Sequence, residues 1–584
     1  MKIWSLIPEK KRRLVVLLVF MMLFASTLEV LTVGSVVPFV SLLADPSGAQ
    51  VFKEYPLLLS LARTSGFEDP FEMATAFFIA LVLFSGVARL LILRFQLRLA
   101  YAIGADLSAK IFENFLASPY ELHALENSNE LAATVTGRLN DVIHLMLNPM
   151  LSLTSSALIS VFIISGMALI QPEVTISGGI FFGVVYLLMG ALSSKVLGKR
   201  GESVSNNQGK ILRYLREAHE GIRDIILGRK EAYFLDVYSR ADYRLRMDRA
   251  TINFFSQSPR YLVETLTLVA LVVAAFSLLR TDGQSFSEST PLIASFALAF
   301  QKLLPNFQAI YANWALIKSG AVSLGAVTDS IESSSGLPVS SRIVSSPPLG
   351  DIHLWNVGYR YPGSNAPALW NINFTIPRGK RVGIVGSSGA GKSTLLDVIM
   401  GLIEPTTGYL AIGEESITSD NAPDWHAQIS HVPQRIFLID GTLQQNVAFF
   451  DSSSVIDRRR LNKAIEVAEL SGLIASSSLG YGLHVGEGGA KLSGGQRQRV
   501  GIARAVYSDA SVLVLDEATS ALDFATEKKV IDNLVAIEKA PTMIFVTHNS
   551  EALKTCHIIY ELEAGSIKWS GNWADFDSRS RATK

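Results

Sequence analysis

At 584 residues, 49% of them apolar and 18% charged, with a mean hydropathy of +0.31, the chain is too long for one hydrophobic core and too apolar for an ordinary soluble composition. A formal net charge of +0 argues against a nucleic-acid partner, whose footprint would be a basic excess. The single cysteine, Cys556, excludes an intramolecular disulfide and a cysteine-based zinc cluster.

Lys10, Lys11, Arg12 and Arg13 precede an apolar run that carries Glu29 as its one charge. The run is longer than the apolar region of a secretory signal, about 7–15 residues. It is long enough to cross a bilayer, which takes about 20, and is expected to be retained as a first span. Apolar stretches of spanning length fall near residues 14–43, 74–97, 142–170, 174–197, 260–280 and 291–318. Six such stretches predict a six-helix membrane domain over residues 1–330.

Loop charges orient it. The N-terminal cluster and the basic segment 195–249 are expected in the cytoplasm, whereas 45–72 carries Asp45, Glu54, Glu68, Asp69 and Glu72 and is expected outside. The short connections Gln171–Glu173 and Thr281–Thr290 hold no Lys or Arg and are also expected outside. An external helix is expected at Glu54–Ser65. Two long intracellular stretches, 98–141 and 198–259, read as helix with breaks at Ser118-Pro119 and Gly221. They suit arms reaching toward a soluble domain, and equally suit solvated helical hairpins.

Residues 331–350 are rich in Ser, Pro and Gly and read as a linker. From Asp351 short β-branched runs such as Arg381–Val385, Ser511–Leu515 and Thr542–Val546 alternate with helical stretches, predicting an α/β domain over 351–584. Within it, Gly386-Ser387-Ser388-Gly389-Ala390-Gly391-Lys392-Ser393 fits the phosphate-loop pattern between a strand and a helix that opens at Thr394. Glycines let backbone N–H groups close around phosphate oxygens, and the helix N-terminus adds a favourable dipole. Lys392 would reach the β/γ-phosphates and Ser393 would offer a hydroxyl to Mg²⁺.

Leu492-Ser493-Gly494-Gly495-Gln496 lies just ahead of Val512-Leu513-Val514-Leu515-Asp516-Glu517. With these motifs the chain from Asp351 onward resembles the ABC transporter ATPases. The resemblance implies that Ser493, Gly494, Gly495 and Gln496 act on ATP held by the opposite subunit. It implies that Tyr361 stacks on adenine, although Tyr359 is two residues away and competes for the role. It further implies that Gln434 reaches Mg²⁺ and the attacking water, that Asp516 holds Mg²⁺, and that Glu517 is the general base. Asp523 matches the loop at the dimer seam, His548 the switch histidine, and Gly486-Glu487 a segment that contacts intracellular loops. Because Lys392, Ser493, Asp516, Glu517 and His548 are all present, a homodimer with two competent sites is expected, with a heterodimer as the alternative.

Six spans followed by the ATPase on one chain resemble the half-transporter exporters, integral to the cell's inner membrane with the ATPase domain in the cytoplasm. The fold expected is therefore an all-α six-helix transmembrane domain followed by an α/β ABC ATPase. No peptidase-like segment is read ahead of the first span, which disfavours an exporter that trims leader peptides. Glu29 with Pro38-Phe39, Ser258-Pro259-Arg260-Tyr261-Leu262-Val263-Glu264 and Lys302-Leu303-Leu304-Pro305 resemble the bacterial flippases of lipid-linked oligosaccharides. Arg89, Arg260 and Lys302 fall in or beside spans, where charges usually face a cavity or a partner, and three cations would suit a pyrophosphate head group. Snorkelling at the interface serves Arg89 and Arg260 equally well, and Glu29 or Glu264 would pair with the cations. The alternatives are an exporter of peptide, drug or lipid, and an ATP-gated channel or regulator.

Overall fold

A computed structural model describes residues 2–44, 70–125, 133–170, 172–281, 286–332, 350–449 and 455–583. The expected external helix at Glu54–Ser65 lies outside the described residues, as does the linker at 331–350 apart from its first two positions and Gly350. The chain divides into two compact units, Met1–Ser118 with Leu125–Val339, and Pro119–Ala124 with Ser340–Lys584.

The first unit is helical. Its main helices are α1 (Glu9–Gly34), α2 (Pro70–Ala117), α3 (Tyr120–Leu125), whose residues up to Ala124 belong to the second unit, α4 (Asn148–Ile170), α5 (Pro172–Glu220), α6 (Glu231–Thr281) and α7 (Phe286–Glu332). At 1.5 Å per residue, helices of 48, 49, 51 and 47 residues run about 70–77 Å, more than twice the hydrocarbon thickness. The expected breaks are both present. Pro119 cannot continue α2, and Gly221 separates α5 from a short helix at Ile222–Leu227. The first apolar run is divided in two, since α1 closes at Gly34 and a second helix begins at Val36.

Among the described residues four helical stretches are long and apolar enough to cross a membrane: Glu9–Val40, Phe71–Ala117, Thr134–Leu169 and Gly179–Glu220. The fifth and sixth expected spans fall in α6 and α7, where most side chains between 267 and 296 lie outside the described residues. Leu90, Leu187 and Leu192 keep 67%, 75% and 78% of their surface uncovered. Patches of that kind are unfavourable in water and are what hydrocarbon solvates. Small residues let these helices approach closely: a Cβ added at Gly201 on α5 would meet the Ser319 carbonyl oxygen of α7 at 2.0 Å.

The second unit holds two sheets. A six-stranded sheet runs β10-β9-β3-β8-β7-β6, built from β3 (Arg381–Gly386), β6 (Ile429–Val432), β7 (Val512–Asp516), β8 (Thr542–Val546), β9 (Ile558–Glu563) and β10 (Ser566–Gly571). All its pairings are parallel except that of β10 with β9. Strands β3, β7 and β8 are nearly continuous apolar runs because both faces are covered. A four-stranded antiparallel sheet, β2-β1-β4-β5, was not anticipated. It comprises β1 (Ile352–Tyr359), β2 (Leu369–Ile376), β4 (Thr407–Ile412) and β5 (Glu415–Ile417). Its apolar residues join those of β3 and the helix α8 (Lys392–Ile399) in one core, closed by Trp425, whose indole N–H donates to Ile399 O at 2.9 Å. Helices α9 (Gly494–Tyr507) and α10 (Phe524–Val535) complete the unit's main elements.

Candidate nucleotide site

The parallel strands end together, and their C-terminal ends carry most of the motif residues, as ligand sites in open α/β sheets do. Ile384 of β3 is paired with Val546 of β8, and Val546 with Asp516 of β7. This register brings the phosphate loop, the Asp516-Glu517 pair and the segment leading to His548 to one edge.

The loop from Gly386 to Gly391 needs its glycines. Gly389 and Gly391 have φ of +79° and +99°, and a Cβ at Gly391 would lie 2.8 Å from the Ala368 carbonyl oxygen. Ser387, Ser388 and Ala390 complete the loop, with only Ala390 buried. Lys392 arches back over it, its Nζ donating to Gly386 O at 2.7 Å and Ser387 O at 2.9 Å. Ser393 is exposed on the first turn of α8, and Thr394 is buried behind it.

Tyr359 and Tyr361 occupy different environments. Tyr359 is buried, and its hydroxyl donates to Glu121 Oε1 at 3.1 Å. Tyr361 keeps 38% of its surface, and its hydroxyl lies 3.1 Å from Thr394 Oγ1. Of the two, only Tyr361 presents ring surface outward.

Glu517 follows β7 with φ of +47°, a conformation that bulky side chains rarely adopt. Its amide donates to Val546 O at 2.8 Å, and its Oε2 accepts from Gln434 Nε2 at 2.7 Å. Burial, reinforced by the charge of Glu517 and opposed by Lys392, raises the Asp516 carboxyl above its ordinary range. Asp397 on α8 is pushed up to about 6 by burial and by Asp516. His548 is exposed just past β8.

Ser493 is the N-cap of α9. Its Oγ accepts from Gln496 N–H, and Gln496 Oε1 accepts from Ser493 N–H at 2.8 Å, a reciprocal capping box. Gly494 and Gly495 pack against the following loop, where a Cβ at Gly495 would meet Ala521 O at 2.9 Å. Asp523 caps α10 by accepting from Thr526 N–H, and those bonds hold its carboxyl below the ordinary range. Among the described residues no hydrogen bond joins Ser493 to the phosphate loop of its own chain.

Three residues at this edge escaped sequence reasoning. Gln498 binds the loop after Glu517 from both ends of its amide, donating to Ser520 Oγ at 3.0 Å and accepting from Ala521 N–H at 2.8 Å. Asp397 lies one turn beyond Ser393 on the same helix, a spacing that could have flagged it. Glu121 had no signal, being 238 residues from Tyr359.

Asp516, Ser393 and Gln434 supply oxygen donors of the kind Mg²⁺ takes together with nucleotide phosphates. Among the described residues no group of three or more His, Cys, Asp or Glu side chains could hold a metal by themselves. The donor set fits an ion shared with phosphate and does not form an all-protein cage.

In the first unit, Glu29 is buried and pairs with two cations, Arg89 Nε at 2.9 Å and Lys302 Nζ at 3.2 Å, while Ser85 Oγ donates to it at 3.2 Å. Two of the three expected cavity cations therefore meet on one carboxylate. Arg260 and Glu264 are exposed on α6, and neither has an ion pair among the described residues.

Comparison with known proteins agrees with this arrangement. Residues 14–303 match the model of the ABC transporter transmembrane region, and residues 369–520 that of the ABC transporter ATPase. The ATP-dependent lipid A-core flippase of Ralstonia nicotianae is 26% identical over 472 residues, covering 80% of this chain and 78% of that one. ABC transporter B family member 29, chloroplastic, of Arabidopsis thaliana is 26% identical over 76% of this chain and 69% of that one. In fold the chain is similar to a bacterial Atm1-family ABC exporter solved with ATP bound, with a TM-score of 0.77 at 20% identity over 97% of this chain and 96% of the other. With the transmembrane region and the ATPase in tandem on one polypeptide, the chain belongs to the ABC transporters, integral membrane proteins that bind ATP and couple its hydrolysis to transport.

Proposed function

We propose that the chain works as a homodimer in a bacterial inner membrane, with its ATPase domain in the cytoplasm, and flips an anionic, lipid-linked cargo, an oligosaccharide on a pyrophosphate lipid fitting best. The observation that carries the cargo reading is the charge count around Glu29: among the described residues one carboxylate faces two cations, so a net positive charge remains in this cluster. Arg260 would add a third cation. The relatives named ATP-dependent lipid A-core flippases support a lipid cargo without specifying its head group or sugars.

At the nucleotide site, the proposed roles follow the geometry. The Gly386–Gly391 loop and the N-terminus of α8 bind phosphate oxygens. Lys392 exchanges its loop carbonyls for the β/γ-phosphates, and Tyr361 stacks on adenine. Ser393, Gln434 and Asp516 hold Mg²⁺, which supplies charge neutralisation at the phosphates. Glu517, oriented by Gln434, accepts the proton of the attacking water, and His548 contacts the γ-phosphate. Ser493, Gly494 and Gly495 act on nucleotide held by the second copy, with Asp523 at the seam. The domain division proposed is 1–330, 331–350 and 351–584.

The test is reconstitution. Proteoliposomes holding the purified protein should translocate a fluorescent lipid-pyrophosphate oligosaccharide on addition of ATP and Mg²⁺, and should translocate an uncharged lipid of the same chain length much more slowly. Equal rates for both would refute the anionic-cargo reading. ATP hydrolysis with no translocation of any amphiphile would favour a channel or regulator.

A further inference from the structure

We infer that Glu121 is a positioning residue for adenine recognition: acting through Tyr359, it fixes the ring of Tyr361 on which the base stacks. The inference rests on the proposed role of Tyr361.

The geometry is a chain of three contacts. Residues 119–124 belong to the second unit, although the sequence on either side belongs to the first. Pro119 ends α2, and Leu122 N–H donates to Pro119 O at 3.0 Å, turning the chain into α3. Glu121, half-buried on this turn, accepts the hydroxyl of Tyr359. Tyr359 closes β1, is 4% exposed and stands edge-on to Tyr361, the centroids 5.0 Å apart and the planes at 88°. Such a T-shaped pair is orientation-dependent, so tilting one ring displaces the other. The far end of Tyr361 is held by Thr394 on the phosphate-loop helix.

Tyr361 is therefore pinned between the helix that binds phosphate and a buried ring whose outer anchor is Glu121. A phenol donating to a carboxylate makes a charge-assisted bond, stronger than a neutral one. Burial, then the bond to Glu121, raises the Tyr359 hydroxyl above its ordinary range, consistent with a phenol that donates and stays protonated. Without that anchor Tyr359 keeps its place in the core but loses the tether that fixes the tilt of its ring, and Tyr361 samples orientations that do not match a purine. The cost falls on the base alone, because the phosphate loop has its own contacts.

The experiment uses the full-length transporter in nanodiscs and compares two competitors of a fluorescent ATP analogue: ATP, and base-free inorganic tripolyphosphate. For Glu121→Ala and for Tyr359→Phe we expect KM for ATP to rise on the order of tenfold, with kcat changed less than about twofold, as when ground-state and transition-state binding are lost together. Tripolyphosphate affinity should stay within about twofold of wild type by the same reasoning. Glu121→Gln, whose amide oxygen still accepts the phenolic proton, should recover most of the loss, and the Glu121→Ala/Tyr359→Phe double variant should be no worse than either single one. Equal weakening of ATP and tripolyphosphate, or additive losses in the double variant, would overturn the inference. Tyr361→Ala separates the two levels. If it leaves ATP affinity unchanged, the stacking role itself fails and takes the inference with it. If it weakens ATP while Glu121→Ala and Tyr359→Phe do not, stacking stands and positioning by Glu121 is refuted.

Discussion

Removal of the Glu29 carboxylate should damage the membrane domain far more than removal of either cation it binds. At an effective dielectric of about 20, contacts of 2.9 and 3.2 Å correspond to about 5–6 kcal/mol of Coulomb attraction each. Desolvating a carboxylate that is 1% exposed offsets several kcal/mol of this. Breaking a buried pair usually costs about 3–5 kcal/mol because a charge is left uncompensated. Here the orphaned side chains of Arg89 and Lys302 retain 46% and 24% of their exposure, so about 2–4 kcal/mol is the better expectation for Glu29→Gln. At about 2–4 °C per kcal/mol for a large domain, that is a fall of about 4–16 °C in unfolding temperature. Lys302→Met is the contrasting case. It leaves Glu29 and Arg89 as a neutral one-to-one pair, so it should cost about 1 kcal/mol or less. Under the anionic-cargo reading the same variant should lose most translocation of a labelled lipid-pyrophosphate oligosaccharide while keeping ATP binding. Thermal unfolding in detergent, followed by tryptophan fluorescence, and transport in proteoliposomes measure the two effects separately. If Lys302→Met destabilises as much as Glu29→Gln, Lys302 is a structural staple and the argument from spare positive charge is refuted.

Three further outcomes are expected. Glu517→Gln keeps the side-chain shape and an acceptor for Gln434 but cannot take a proton, so hydrolysis should fall about 10²–10⁴-fold while ATP still binds; steady-state ATPase activity within tenfold of wild type would count against Glu517 as the base. Cross-linked mixed dimers of Lys392→Ala and Ser493→Arg subunits place both lesions in one composite site and none in the other, and they should hydrolyse ATP faster than either mutant homodimer. No recovery in the ATPase assay would contradict independent sites completed by Ser493 in trans. The raised Asp397 carboxyl means folding favours its protonated form, so its contribution is fully present below the ordinary range near pH 4 and is lost as pH rises through about 6. Asp397→Asn, freed of that penalty, should be more stable than wild type by about 1–2 kcal/mol at pH 7.5 after discounting for partial exposure. Nucleotide-free thermal unfolding should show the gap shrinking toward pH 4, and a gap independent of pH would refute the assignment.

The amino-acid order by itself determined the features that are local in the chain. The membrane-spanning part of each helix follows from an apolar run, its extension from polar sequence without Pro or Gly clusters, and the breaks at Pro119 and Gly221 from residues that interrupt a helix. The phosphate loop and the alternation of β3, β7 and β8 with helices are likewise written in spacings of a few residues. The sheet β2-β1-β4-β5 was less legible, because antiparallel strands with one exposed face carry a weak apolar signal and a register with bulges at Asn356. Gln496 showed its motif but not its work as a capping partner, which needs the turn to form first.

What only the tertiary structure decided are the pairings between distant positions. Two tyrosines two residues apart competed for the adenine role, Tyr361 being the one expected, until folding buried Tyr359 and left Tyr361 exposed, because Tyr359 is the last residue of β1 and packs into its core whereas Tyr361 lies beyond the strand. Glu29 had three candidate partners in the sequence, and the structure selects Arg89 and Lys302 while leaving Arg260 exposed. Lys302 and Glu29 stand 273 positions apart, and Tyr359 and Glu121 stand 238 apart. No periodicity or motif spans such intervals, since a contact of that kind exists only once helices have packed and turned their side chains toward each other.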